Sequence, residues 1–430
     1  MKKVVRMKVY VEAYGCAANF NDAEIAKGLL QREGFEIVND AKNSDVIILF
    51  TCIVKTPTEH RMIDRIRKLS ELNKPLIVAG CMPVAEKDVV EKLNQNASLI
   101  GPGSVTRIVE VVKRTLKGKR VVELEFTKTP KVCLPKVRKN PVINIVQISE
   151  GCLWKLCTYC IVKFSKGEFF SYPPELIVED VKKSLEEDCK EIWLTSQDTG
   201  SYGLDIGYDL PSLLNRITQV EGKFFVRVGM MNPIYVKPKL NKLIQVFKSP
   251  KIFKFIHLPV QSGSDRVLKS MKRGYTVKDF LTIVEGFRKN FPYLSLSTDI
   301  IVGFPGESDE DFQKTVELIE KVRPDIVNVS KFGARPGTEA EKFERLPHSI
   351  IAKRSKTLRK IIEEIQIQNN EKWVGWEGEV LIDEVGKKGT MVGRNFAYKP
   401  VVIDCDCKLG EFVKVKVVEA KKTYLVGEFV

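Results

Sequence analysis

Short apolar runs alternate with amphipathic stretches over the first 330 or so residues, and that rhythm predicts the fold. Val9-Tyr-Val-Glu-Ala-Tyr14, Val46-Ile-Ile-Leu-Phe50 and Leu76-Ile-Val-Ala79 read as strands. The last two are too apolar for a sheet with one wet face, so they predict parallel strands covered on both sides. Asn21–Arg32 predicts a helix with an Asn/Asp start. Residues 1–120 therefore predict a doubly wound α/β unit. The alternation resumes at residue 142, with strands expected at Ile143–Ile148, Glu191–Thr195, Phe224–Val228, Phe253–Leu258, Leu296–Val302 and Asp325–Phe332. Helical patterns such as Glu175–Glu187 and Asp309–Val322 lie between them. Six βα units predict a partial barrel, with chemistry at the carboxyl ends of its strands.

Residues 121–141, rich in Lys, Arg and Pro, predict an extended connection between these two domains. The barrel domain is expected over 142–372, closed by a long helix, Ser349–Asn370, that carries Lys353, Arg354, Lys356, Arg359 and Lys360. From 373 to 430 the pattern changes to short strands and tight turns. That predicts a small five-stranded barrel, an architecture that commonly binds oligonucleotides.

Composition sharpens the picture. A net charge of +15 fits a polyanionic partner, and equally a Lys-rich surface or a high-temperature lifestyle. The terminal barrel favours nucleic acid, because Arg394, Tyr398 and Lys399 interleave positive charge with an aromatic ring, the mix that grips phosphate and stacks on bases. No 18-residue apolar run is present, and the start lacks the apolar core of a secretory signal, so a cytoplasmic protein without a membrane span is expected. The ten cysteines cluster by short spacing in an ordinary globular composition, which predicts a reducing compartment rather than a disulfide framework. Cys133, Cys189 and the Cys405/Cys407 pair, expected on one strand face, are read as structural or inert.

The candidate chemistry lies in two cysteine trios. Cys152, Cys157 and Cys160 crowd into one loop behind an apolar strand. Three thiolates suit a four-iron cluster with one iron left open, whereas zinc would want a fourth ligand and no His lies in the loop. Cys16, Cys52 and Cys81 each follow one of the three N-terminal strands. In doubly wound sheets, sites gather outside the strand carboxyl ends, so this trio predicts a second cluster of the same kind. His60 is expected on a helix surface, and His257 at a strand end is either a site residue or a core residue. On the barrel rim, Ser196, Gln197 and Asp198 offer donors and acceptors for an amino acid moiety. Gln261 and Ser262 suit a ribose, Asp299 ends the fifth strand, and Gly303 and Gly306 let backbone approach a flat base.

Gly151-Cys152…Cys157-Thr-Tyr-Cys160-Ile-Val, with the basic Lys163 and the Lys166-Gly167 pair, resembles the radical S-adenosylmethionine methylthiotransferases. Four residues separate the first two cysteines, where the family usually has three. Tyr14-Gly-Cys16-Ala-Ala-Asn19, Thr51-Cys52 and Gly80-Cys81-Met-Pro83 resemble that family's N-terminal domain, and the last 58 residues resemble a TRAM domain. Thr195-Ser-Gln-Asp-Thr-Gly-Ser-Tyr-Gly203, Arg227-Val-Gly-Met-Met-Asn-Pro233 and Pro259-Val-Gln-Ser-Gly-Ser264 are similar to the archaeal and eukaryotic branch. The resemblance implies two [4Fe-4S] clusters, S-adenosylmethionine as co-substrate, and methylthiolation of N6-threonylcarbamoyladenosine at C2, next to the anticodon of tRNA. It also implies that the loop cluster generates a 5′-deoxyadenosyl radical and that the N-terminal one carries the sulfur. The alternatives are a methylthiotransferase acting on ribosomal protein uS12 and a non-catalytic iron–sulfur RNA-binding protein. The sulfur donor and the electron donor are not given by the sequence.

Overall fold

The computed structural model describes residues 6–430. They form two compact units. The smaller gathers the chain up to Lys139 with Ile145–Lys155 and Cys160–Ile177; the larger holds Asn140–Asn144, Leu156–Tyr159 and Val178–Val430.

The smaller unit is built on strands β1 (Lys8–Ala13), β2 (Glu36–Val38), β3 (Val46–Thr51), β4 (Leu76–Gly80), β5 (Ser98–Ile100) and β6 (Val122–Glu123). Every pair is parallel, in the order β2-β1-β3-β4-β5-β6. The side chains of β3 alternate between the two faces. Val46, Ile48 and Phe50 pack with Ile25, Leu29 and Ile108, while Ile47 and Leu49 pack with Met62, Ile66 and Leu69. Each such buried side chain contributes about 1.5–3 kcal/mol. The doubly covered sheet expected from the all-apolar β3 is therefore present.

The segment expected as an extended connection packs along the smaller unit. Its first residues add β6 to the sheet, Val121 and Val132 are buried, and the Val137 N–H donates to the Glu24 carbonyl at 3.0 Å. Gly28 makes room for it: a Cβ there would meet the Pro135 carbonyl oxygen at 2.2 Å. Apolar residues spaced among the lysines anchor the strap, and its charges masked that in the sequence.

Next along the chain come β7 (Ile143–Gln147) and the short antiparallel pair β8 (Ser149–Glu150) and β9 (Phe170–Ser171). The larger unit then continues with β10 (Glu191–Thr195), β11 (Phe225–Val228), β12 (Phe255–His257), β13 (Ser295–Val302) and β14 (Ile326–Lys331). Two three-stranded sheets result, β11-β10-β7 and β12-β13-β14. Parallel bridges Val226↔Ile252 and Met230↔His257 place them in series. These are the six strands of the expected partial barrel. The helix His348–Glu371 leads into a closed barrel of β15 (Glu377–Val385), β16 (Met391–Arg394), β17 (Pro400–Ile403), β18 (Phe412–Ala420) and β19 (Leu425–Phe429), ordered β15-β16-β17-β19-β18. Val380, Ile382, Val401, Val415 and Leu425 fill it. Cys405 and Cys407 correct one expectation: β17 ends at Ile403, and in the loop beyond it the two sulfurs form a disulfide. Among the described residues no helix is long and apolar enough to cross a membrane.

Candidate functional site

The parallel register of β1, β3 and β4 brings Cys16, Cys52 and Cys81 to one edge of the smaller unit. Ala13 lies opposite Phe50 and Thr51 opposite Gly80, so all three chains leave the sheet at the same level. Gly15 (φ +111°) lets its chain pass directly over Cys52; a Cβ there would stand 2.5 Å from the Cys52 Cβ. Gly80 (φ +91°) has no room for a side chain beside the Thr51 carbonyl and Asn19. Asn19 bridges two strand ends, its Nδ2 donating to the Tyr14 and Thr51 carbonyls. Cys16 and Cys81 each precede the first turn of a helix. Burial pushes the Cys81 thiol up to about 11, Cys16 and Cys52 add to that, and Lys166 works in the opposite direction. Among the described residues no three His, Cys, Asp or Glu side chains stand ready-made at metal-binding spacing. The parallel register sets the three cysteines at one edge of the sheet.

Beneath the trio lies a buried polar cluster that sequence reading missed. Lys131 Nζ donates to Asp22 at 2.6 Å, to Glu150 at 2.8 Å and to the Pro102 carbonyl at 3.2 Å. The Tyr172 hydroxyl donates to Glu150 at 2.7 Å. Lys166 is 3% exposed, and its Nζ has no hydrogen-bond partner among the described residues. Burial opposes its charge, yet Cys81, Asp22, Cys16 and Glu150, in that order, hold its pKa well above the ordinary lysine value. Three thiols beside an unpartnered buried cation form a donor set that fits an iron–sulfur cluster with thiolate ligands.

Cys152, Cys157 and Cys160 share the loop between β8 and the short helix Val162–Ser165. Within the larger unit Cys157 is buried, and Arg273 Nη1 donates to its sulfur at 3.3 Å. Arg273 Nε also donates to the Tyr275 hydroxyl, which donates in turn to the Pro259 and Val260 carbonyls. Thr158 is tied on both sides, its N–H to the Met271 carbonyl and its carbonyl to the Ala340 N–H. The basic residue that meets the sulfur thus comes from just beyond the helix Asp265–Ser270, 116 residues along the chain, a contact with no local sequence signal. Three thiols in one loop, one of them met by a guanidinium, again suit a cluster.

The strand-end residues divide. Asp198 is buried and organises its own loop: Oδ1 accepts from the Gly200 and Asn232 N–H groups, each at 3.0 Å, while Oδ2 has no hydrogen-bond partner among the described residues. Burial pushes its carboxyl up to about 6 against those two N–H groups and the charges of Arg273 and Lys239. Ser196 and Gln197 beside it are half-buried. Gln261 adopts φ +73° and pairs through its backbone with β13. The Ser262 hydroxyl is buried, 3.4 Å from the Thr315 hydroxyl, and accepts from the Ser264 N–H at 3.2 Å. Asp299 accepts from Asn328 at 2.8 Å and lies 3.0 Å from His257 Nε2, so His257 is a paired strand-end residue. Gly303 and Gly306 separate: a Cβ on Gly303 would strike Ile351 at 2.4 Å, whereas Gly306 faces open space and lines a cavity of about 600 Å³ with Pro305, Phe343 and Leu346. Gly303 therefore packs against the helix His348–Glu371, and Gly306 stands open.

Three known domain families match the chain: the uncharacterized protein family UPF0004 over residues 8–101, the radical SAM superfamily over 146–319 and the TRAM domain over 371–430. A Pyrococcus horikoshii protein named "Probable threonylcarbamoyladenosine tRNA methylthiotransferase" is 43% identical over 99% of this chain and 100% of its own length. The Mus musculus threonylcarbamoyladenosine tRNA methylthiotransferase is 38% identical over 98% of this chain and 74% of its length. The chain belongs to the threonylcarbamoyladenosine tRNA methylthiotransferase family. Its fold is similar to that of a radical S-adenosylmethionine methyltransferase of Kitasatospora setae, with a TM-score of 0.58 at 13% identity over 84% of this chain and 89% of that one.

In this methylthiotransferase the residues expected to grip RNA are turned inward. Arg394 pairs with Asp383 at 3.0 Å and lies over the Tyr398 ring. Tyr398 packs on Phe253 and Phe255 and is covered on another side by Arg227. Lys399 is buried, its Nζ 2.7 Å from both Asp325 and Asn370. Tyr398 and Lys399 tie the small barrel to Phe253, Phe255, Asp325 and Asn370 within the larger unit, so the RNA contact expected of Lys399 is corrected to a structural one. Exposed basic groups lie elsewhere. Lys331, Lys356, Arg359 and Lys360 line a cavity of about 620 Å³ along the helix His348–Glu371, and none has an ion pair among the described residues.

Proposed function

We propose that this chain transfers a methylthio group to C2 of N6-threonylcarbamoyladenosine next to the anticodon of tRNA. What supports this reading is one coincidence: a chain alike over its whole length to enzymes named for that substrate also carries two separate three-thiol sets, one at strand ends and one in a barrel loop. Adenine C2–H offers no acid–base handle, so its substitution demands radical chemistry. Cys152, Cys157 and Cys160 would hold a cluster able to deliver the electron that cleaves S-adenosylmethionine, and Cys16, Cys52 and Cys81 would hold one able to carry the sulfur to be transferred.

The chain's own residues do the holding. Arg273 fixes the sulfur of Cys157. Asp198 shapes the loop after β10 and keeps one carboxylate oxygen unspent for a donor such as an ammonium group. Gly306 leaves room for a flat base. Lys331, Lys356, Arg359 and Lys360 give a run of unpaired positive charge suited to successive phosphates of a folded RNA.

The test is turnover with defined substrate. Anaerobically reconstituted protein is given S-adenosylmethionine, dithionite, sulfide and a tRNA carrying N6-threonylcarbamoyladenosine, and the digested nucleosides are analysed by mass spectrometry. The 2-methylthio nucleoside is expected. Formation of 5′-deoxyadenosine without it would reject the tRNA substrate in favour of another, such as a ribosomal protein. No 5′-deoxyadenosine from a fully clustered protein would reject the enzymatic reading.

A further inference from the structure

Lys166 is the least explained charge in the smaller unit. Lys131 already answers both nearby carboxylates, at 2.6 Å from Asp22 and 2.8 Å from Glu150, and Tyr172 also donates to Glu150. Lys166 is nearly as buried as Lys131, yet its ammonium has no hydrogen-bond partner among the described residues. A buried ammonium without a partner is strongly unfavourable, so it is kept only where something anionic offsets the burial. Cys81 comes first among the charged groups acting on it, ahead of Asp22 and Cys16, and Ile161 at the head of the same turn packs in one apolar cluster with Cys81 and Met82. Gly167 just beyond it has φ +68° and could not carry a side chain, because a Cβ would meet the Phe126 ring at 2.5 Å. The turn that places Lys166 is thereby fixed. Lys163 shows the contrast: it is only half-buried and lies over the Phe164 ring.

We propose that Lys166 is a positioning residue whose ammonium holds an anionic sulfur ligand, hydrosulfide or a thiolate, on the iron–sulfur site of Cys16, Cys52 and Cys81. The inference rests on the reading that this trio carries a cluster. Three cysteine thiolates already make such a cluster anionic, so adding hydrosulfide to it brings like charges together. A fixed cation in a dry setting offsets that repulsion, and a hydrogen bond from an ammonium to sulfur sets its direction. The binding step is ligand addition at iron: hydrosulfide donates an electron pair, and no oxidation or reduction is involved.

The experiment uses the full chain with Cys152, Cys157 and Cys160 replaced by Ala, so that only the N-terminal cluster is built. Sodium hydrosulfide is titrated into the reduced protein, and the change in the cluster's electron paramagnetic resonance spectrum gives the affinity. Lys166→Met is expected to weaken hydrosulfide binding about tenfold or more, while Lys166→Arg stays near the parent. Lys166→Gln serves in the same way should the Met variant not fold. An intact four-iron cluster in a neutral variant that binds hydrosulfide like the parent overturns the proposal. So does a cluster that assembles with Arg but with neither neutral residue, because that makes Lys166 a purely structural counter-charge. Failure of the parent itself to build a cluster on the trio would instead defeat the underlying reading of the site.

Discussion

Arg273 donates to the sulfur of Cys157 at 3.3 Å from 116 residues further along the chain. The guanidinium is buried, with its Nε committed to Tyr275, so its direction toward the sulfur is fixed. Arg273→Met removes that donor, and a hydrogen bond to a charged partner contributes about 1.5–3 kcal/mol. The variant is expected to unfold at lower denaturant and to make 5′-deoxyadenosine more slowly. Arg273→Lys restores charge but not the two-pronged geometry, and should recover the first property more than the second. Equal 5′-deoxyadenosine rates in all three proteins would contradict this role.

Gly303 and Gly306 have the same left-handed backbone but different neighbours. Either Ala substitution meets backbone strain of about 1–3 kcal/mol. Gly303→Ala also drives a methyl group into Ile351, and overpacking adds about 1–3 kcal/mol. Denaturant unfolding is expected to rank Gly303→Ala well below Gly306→Ala. S-adenosylmethionine affinity is expected to fall further for Gly306→Ala.

The inward turn of Lys399 separates stability from RNA binding. Lys399→Met should lower the melting temperature through loss of its Asp325 and Asn370 contacts, with the salt dependence of tRNA binding unchanged. Lys356→Ala, Arg359→Ala and Lys360→Ala should leave the melting temperature nearly unchanged. Each is expected to reduce the slope of log affinity against log salt by about 0.7–0.9 if it meets a phosphate. Filter binding at several salt concentrations reads both effects.

Glu191 carries a pH dependence that can be isolated. Burial pushes its carboxyl from an ordinary 4.5 up to about 8, and the buried Asp383 nearby adds to the rise against Trp193, Arg394 and Arg227. Between those two values the folded chain keeps a proton that the unfolded chain releases. Stability from this group is therefore fully present below about pH 4.5 and is lost as pH climbs to about 8. Glu191→Gln removes the effect. The melting temperature of the variant relative to the parent is expected to rise with pH over that window, and a constant difference would contradict the assignment.

Much of this was legible in the sequence. The all-apolar β3 and β4 announced a doubly covered parallel sheet, and cysteines directly after three strands announced a shared edge. What escaped was whatever depends on distant partners. Lys131 meets Asp22 across 109 residues, and nothing in a Lys-rich strap distinguishes the lysine that is buried. Arg394, Tyr398 and Lys399 look the same whether they face RNA or are locked inside, and only Asp383, Asp325 and Asn370 decide between the two. The two glycines after β13 are equivalent in sequence until Ile351 is placed against one of them.

The central claim is that each cysteine trio holds its own four-iron cluster. Iron and sulfide are to be counted after anaerobic reconstitution, with Mössbauer spectra of the parent, of the Cys16/Cys52/Cys81→Ala protein and of the Cys152/Cys157/Cys160→Ala protein. The account predicts about eight irons and eight sulfides per parent chain and about half of each in either variant. A parent with a single cluster, or a variant that loses all its iron when only one trio is removed, would contradict it.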